Sequence, residues 1–162
     1  MDKIKVFSLN CHKSIGNEVI SNYNNLQVLD SRYVADKEHL EFAIIQAIRS
    51  FKRKKMISKN LMMEIMLKAS AQRQISKAIE IFGVKKSNLV YILSETLPVK
   101  LMREYKCNEV KILFNKKKYV DLKKQFKISD NEIRVIAGTN SKECESVLKM
   151  IIKERIALLE AK

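Results

Sequence analysis

The sequence predicts an α/β fold: a single compact domain over residues 1–162, with a small mixed or antiparallel sheet packed with helices and a helical C-terminal part. Three observations carry this. The chain is 46% hydrophobic over 162 residues, with no shift in composition along it, which suits one packed core. Period-two alternation at its start gives way to i, i+3, i+4 spacing, so strands and helices share the domain. From Pro98 onward the start signals are those of helices.

Ile4, Val6 and Ser8 alternate with Lys3, Lys5 and Phe7, which predicts a first strand. The asparagine-rich residues 16–25 read as a loop anchored by Val19 and Ile20, and residues 26–34 as a second, short extended piece. Asp36 is an N-cap candidate, and Leu40, Ala43, Ile44, Ala47, Ile48 and Phe51 fall on one helical face. Leu61, Met63, Ile65 and Leu67 alternate with Met62, Glu64, Met66 and Lys68, which predicts a mostly buried strand. Ser70 reads as the N-cap of a helix whose stripe is Ile75, Ala78, Ile79 and Phe82, closed by Gly83 in the left-handed position. Residues 89–93 read as a strand. Pro98 opens a short helix reaching about Tyr105, Asn115 caps one running through Phe126, and Asn140 with Glu143 forms a capping-box pattern before the last helix. No internal repeat, low-complexity linker or sustained heptad run interrupts this order.

Thirty-two Lys and Arg stand against 18 Asp and Glu, a formal charge of +14 with a pI near 9.7. The summed field attracts polyanions, and nucleic acid is the first partner to consider. Lys- and Ile-rich sequences also arise from genome bias or adaptation to heat, so charge alone does not decide. The basic runs at 52–55 and 116–118, with Lys123, Lys124 and Lys127, suit either phosphate contact or a solvated helix surface. Tyr105, Phe114 and Tyr119 lie among them without any RNP-like or zinc-finger spacing. Cys11, Cys107 and Cys144 show no CxxC spacing, which argues against a disulfide framework and for a reducing, cytoplasmic compartment. Neither a signal peptide nor a membrane-spanning run is legible, so no membrane association is expected.

Catalytic signals are sparse. Gly16, Gly83 and Gly138 are too scattered to build a phosphate loop. Cys11 and His12 are adjacent on a strand and point to opposite faces, which does not suit a thiol–imidazole pair. His39 has no HxxxH or HxxE companion, so it reads as a packed or solvent-facing histidine rather than a ligand. No enzyme activity, metal or cofactor is expected.

At residues 68–83, KASAQRQISKAIEIFG, together with residues 64–67 and with VLDSRYVADKEHLEFAIIQA at 28–47, the chain resembles the small kinase-binding subunit of the KEOPS tRNA-modification complex. The similarity spans most of the chain. It is most specific at Arg73-Gln74-Ile75, Ala78 and Phe82-Gly83, and over the last 60 residues it is mainly one of pattern. The resemblance implies a compact α/β protein without an active site of its own. It implies binding and stimulation of a kinase-like ATPase subunit, indirect association with the other KEOPS subunits, and retention of tRNA through its single-stranded 3′ CCA tail. The complex installs threonylcarbamoyl on the adenosine next to the anticodon, and the transfer belongs to another subunit.

On that resemblance the candidate RNA-binding set is Lys59, Lys68, Ser70, Gln72, Arg73, Gln74 and Ile75. Small Ala69, Ser70 and Ala71 leave room for a ligand to approach a helix start. Arg73 suits a phosphate or a base face, and Gln72 and Gln74 carry donors and acceptors that suit base edges. A solvated first turn accounts for the same residues without RNA. In the last helix Cys144, Val147, Leu148, Ile151, Arg155 and Leu158 fill one stripe, and Met150, Ile152, Ile156 and Leu159 widen it. Ile151, Ile152, Arg155, Ile156 and Leu159 are the candidate partner-binding set, the alternative being a helix clamped between other elements. The readings to separate are a noncatalytic tRNA- and kinase-binding subunit, a stand-alone basic RNA-binding domain, and a cysteine-dependent enzyme.

Overall fold

The computed structural model describes residues 4–160 apart from 17, 18, 20, 21, 24 and 139. Ile20, expected to anchor the early loop, and Lys3 lie outside the described residues; Val19 is fully buried. Four strands form one antiparallel sheet: β1 (Lys5–Ile15), β2 (Leu26–Asp30), β3 (Ser87–Ser94) and β4 (Cys107–Glu109), in the order β2-β3-β1-β4. Val6 faces Leu93 and Leu9 faces Val90 across β1 and β3. Alternation sends Val6, Tyr91 and Leu93 to one face of the sheet and Leu9, Val90 and Ile92 to the other, and both faces are buried. β1 outlasts its expected span because its register against β3 shifts between Asn10 and Ile15, which breaks the period there.

α1 (Lys37–Lys52) begins as expected: the Asp36 carboxylate accepts the His39 N–H, and Leu40, Ala43, Ile44 and Ala47 enter the first core. The strand expected over 61–67 is instead α2 (Leu61–Ala69), with the Asn60 side chain accepting the Met63 N–H. Its residues are mostly unbranched helix formers, and 64–69 are buried all round, so the apolar pattern carries no helical stripe to read. A second correction follows. Ser70 caps no N-terminus; it ends α2, its Oγ donating to the Met66 and Leu67 carbonyls at 2.9 and 3.1 Å. α3 (Ile75–Phe82) starts at Gln74, with Ala78 and Phe82 buried but Ile75 and Ile79 each 42% exposed. Gly83 is not left-handed (φ −62°). A Cβ there would lie 2.3 Å from the Ile79 carbonyl oxygen, so glycine serves close approach.

Beyond β3, α4 (Val99–Glu104) follows Pro98, and α5 (Lys116–Gln125) is capped by Asn115, both as expected. α6 (Asp130–Ala137) carries a true capping box from Ser129 and Glu132. Before α7 (Cys144–Ala157), the Asn140 amide instead donates to the Glu143 side chain and a 3₁₀ turn, Ser141–Glu143, intervenes. α5, α6 and α7 close a third core around Leu122, Phe126, Ile133 and Leu148. Among the described residues, no helix is long and apolar enough to cross a membrane.

The cysteine expectation is corrected as well: Cys11 and Cys107 face each other across β1 and β4 and form a disulfide, leaving Cys144 free. Partners 96 residues apart give no short-range spacing signal.

Three helices end in the same motif without glycine. After α1 the Lys55 N–H reaches the Ser50 carbonyl (2.9 Å), after α2 Gln72 reaches Leu67 (3.0 Å), and after α5 Ile128 reaches Lys123 (2.9 Å). The left-handed residues are Lys54, Ala71 and Lys127, with φ of 54°, 50° and 53°. A side chain there costs on the order of 1 kcal/mol relative to glycine. Lys54→Gly, at an exposed position, is therefore expected to stabilise the fold by about 0.5–1 kcal/mol, read as a rise of a few degrees in Tm. A fall in Tm would contradict the left-handed assignment.

Candidate nucleic-acid interface

The Schellman turn at the end of α2 holds Ala71 and Gln72 in place and throws Arg73 and Gln74 outward before α3 begins. Beneath the turn lies His39, buried between the rings of Phe82 and Phe126. Its Nε2–H donates to the Ala69 carbonyl (2.9 Å), while Nδ1 accepts the Ala35 N–H (3.1 Å). Only the neutral imidazole satisfies both. Burial is the largest influence and outweighs the Ala69 hydrogen bond, pushing the histidine down to about 4. The unfolded chain takes up this proton near its ordinary value of about 6.5, so stability from this group is complete above that pH and is lost as pH falls from there toward 4. Denaturant unfolding at pH 7.5 and 4.5 should show about 2–3 kcal/mol of loss that His39→Gln does not show. Equal losses in both proteins would remove His39 as the cause.

A cleft of about 490 Å³ opens beside this turn. One wall is Ser70, Ala71, Gln72, Arg73, Gln74 and Lys77; the other comes from Gln125, Phe126 and Lys127 after α5 and from Arg155, Leu158 and Leu159 at the end of α7. Arg73 Nη1 donates to the Leu159 carbonyl (3.1 Å), and Arg155 is held by Glu132. Four cations and three carboxamides line the cleft, and no carboxylate does. At the other flank of the turn, Lys59 and Ile75 share a second groove of about 780 Å³ with Asn60, Leu61, Met62 and Met63. Of the RNA-binding set read from sequence, Ser70, Gln72, Arg73 and Gln74 thus meet at the cleft, Ser70 with its hydroxyl turned inward, and Lys59 and Ile75 meet at the groove.

Lys68 and Ser70 contribute from within. Lys68 is 1% exposed, its Nζ 3.5 Å from Glu64, whose other oxygen accepts the N–H groups of Ile57 and Ser58 at 2.9 and 2.8 Å. The Lys68 ammonium and the Ser70 hydroxyl are engaged inside the fold and present no surface to a ligand. Lys77 and Gln125 join the site without having been anticipated, and Lys127, read from sequence only as one of a basic run open to phosphate contact, joins with them. Gln125 and Lys127 lie more than fifty residues from Arg73 in sequence, and only the packing of α5 against the first wall brings them in.

Most of the partner-binding set lies inside the fold. Ile151, Ile152, Ile156 and Leu159 are buried in this chain alone, Ile152 completely, because the wide apolar face of α7 is clamped by α1 and α6 as well as α5. A carboxylate introduced at Ile152 or Ile156 would enter the core, not an open surface. On α7, Met150 is half exposed and Arg155 partly so; Leu158, just beyond it, is exposed too.

Cys11, tied to Cys107, has no thiol to offer as a nucleophile. Among the described residues, no group of three or more His, Cys, Asp or Glu is placed to hold a metal ion. Comparison with known proteins matches residues 8–160 to the family described as "Kinase binding protein CGI-121". A curated relative, "Regulatory protein Cgi121" from Methanocaldococcus jannaschii, is 42% identical over 81 residues, which are 50% of this chain and 53% of the relative. With nearly the whole described fold inside that match, the chain belongs to the CGI-121 kinase-binding protein family.

Proposed function

We propose that this regulatory, kinase-binding chain acts in the KEOPS complex by holding the single-stranded 3′ CCA end of tRNA, and that it stimulates the kinase-like ATPase subunit it binds. The observation that carries the RNA reading is the cleft at Arg73: four cations, three amides and no carboxylate suit a phosphodiester chain with base edges turned to the glutamines. The adjoining groove supplies what a phosphate site lacks, an apolar floor at Ile75, Met62 and Met63 on which a base can lie. The uncapped first turn of α3 between them adds backbone N–H donors. For the kinase-like subunit, exposed apolar residues away from the cleft include Met150 on α7 and Val135 and Ile136 on α6.

Arg73→Glu removes a phosphate contact and adds repulsion, so affinity for tRNA should fall more than tenfold, about 1.4 kcal/mol or more. Reversal at Lys116 and Lys117 should act mildly and mainly through the salt slope. The measurement is binding of tRNA with and without its 3′ tail at fixed ionic strength. Should Arg73→Glu bind both as the wild type does, the cleft is a solvated turn. Co-purification with the kinase-like subunit separates this reading from that of a stand-alone RNA-binding domain.

A further inference from the structure

β1 runs antiparallel to both of its neighbours, so its C-terminal end meets the N-terminal ends of β3 and β4. This gathers Lys13, Lys85, Lys86 and Lys106 from three separate stretches of sequence. The Lys13 N–H donates to the Tyr105 carbonyl and the His12 N–H to the Lys106 carbonyl, both at 3.2 Å. On the other side Ile15 pairs with Ser87, and the Asn88 side-chain amide donates to the Cys11 carbonyl at 2.7 Å. The disulfide between Cys11 and Cys107 fixes the same end covalently.

All four lysines are exposed. Some surface lysines elsewhere are paired, Lys37 with Glu41, Lys123 with Asp130, Lys149 with Asp36 and Glu145, Lys153 with Glu38, while others such as Lys116 and Lys117 stand without an ion pair among the described residues. Among the described residues none of these four has such a partner, and the nearby Glu104 carboxylate accepts the Tyr23 hydroxyl. Like charges held together on a rigid sheet end repel one another, and a polyanion relieves that repulsion while releasing its own counterions. The sheet end borders the second core, around Leu9, Cys11 and Val90, whereas the Arg73 cleft borders the third. A short single strand in the cleft does not serve both surfaces; a structured RNA does.

We propose that this sheet end is a second phosphate-binding surface, which takes the backbone of a structured RNA whose single-stranded end lies in the cleft. It rests on the cleft reading above. Because the lysines come from a fixed sheet end, they add affinity without reading sequence.

The test compares intact tRNA with a short single-stranded oligonucleotide ending in CCA, across a salt series, for wild type and for Lys13→Glu/Lys85→Glu/Lys86→Glu/Lys106→Glu. The variant should bind tRNA more than tenfold more weakly, with a salt slope shallower by roughly 0.9 for each phosphate that it no longer neutralises. It should bind the oligonucleotide as wild type does. Unchanged tRNA affinity and slope would overturn the proposal, including the case in which the patch serves an acidic protein surface. An equal loss for the oligonucleotide would also overturn it, since that is a general field and not a separate surface. If circular dichroism shows the fourfold variant unfolded, Lys13→Gln/Lys86→Gln replaces it, with about half the change in slope expected. Failure of the cleft reading shows separately, as oligonucleotide binding that Arg73→Glu does not weaken.

Discussion

Glu64→Ala is expected to destabilise the fold by about 3–5 kcal/mol, because it breaks a buried ion pair from one side. Glu64 is fully enclosed, with Lys68 Nζ 3.5 Å from one oxygen and the Ile57 and Ser58 N–H groups on the other. Alanine therefore strands a buried ammonium without its carboxylate and leaves two loop amides without their acceptor. Replacing both partners together, as Glu64→Leu with Lys68→Met, should recover much of the loss, since apolar residues of similar volume carry no charge to desolvate. Glu64→Gln should fall between, keeping an acceptor for the amides but not the charge. Urea unfolding followed by circular dichroism ranks the three. A Glu64→Ala protein within about 1 kcal/mol of wild type would show that the pair is hydrated in solution.

The second large effect is that of the disulfide. Closing a loop of nearly a hundred residues restricts the unfolded chain by an amount worth about 4.7 kcal/mol in the chain-entropy picture, and removal of native disulfides typically costs about 2–5 kcal/mol. Cys11→Ser with Cys107→Ser, or reduction of the wild type, should lower Tm by on the order of 10 °C. β4 pairs with β1 at only three positions, Leu9, Asn10 and Cys11, so the loss should be felt first at that edge. Titration of native protein should find one reactive thiol, Cys144, and three after reduction and denaturation. Three thiols before reduction would show that the pair is open.

Where an element announces itself through local chemistry, the sequence is enough. Asp36 and Asn115 cap the helices expected of them, Pro98 opens the short helix after β3, and Leu89 to Leu93 extends as read. α2 escaped because full burial erases the stripe by which a helix is recognised. The left-handed caps that close α1, α2 and α5 escaped because Lys54, Ala71 and Lys127 hold positions where glycine is the usual sign. β4 is three residues long, and its existence depends on β1 lying beside it. At the candidate site, Arg73 and its neighbouring glutamines stand out locally. The facing wall of Gln125, Lys127 and Arg155 is a product of tertiary packing that no window of residues contains.

Arg73 and Leu159, joined by a hydrogen bond, stand 86 residues apart, and this sets an order of events during synthesis. The sheet is complete once the ribosome has passed residue 109, and the first wall of the cleft well before that. The second wall begins with residues 125–127 and is completed only with residues 155–159. A nascent chain halted between those points has every strand of the sheet but lacks the Leu159 carbonyl that holds Arg73, so the framework is synthesised before the hydrogen bond that closes the cleft.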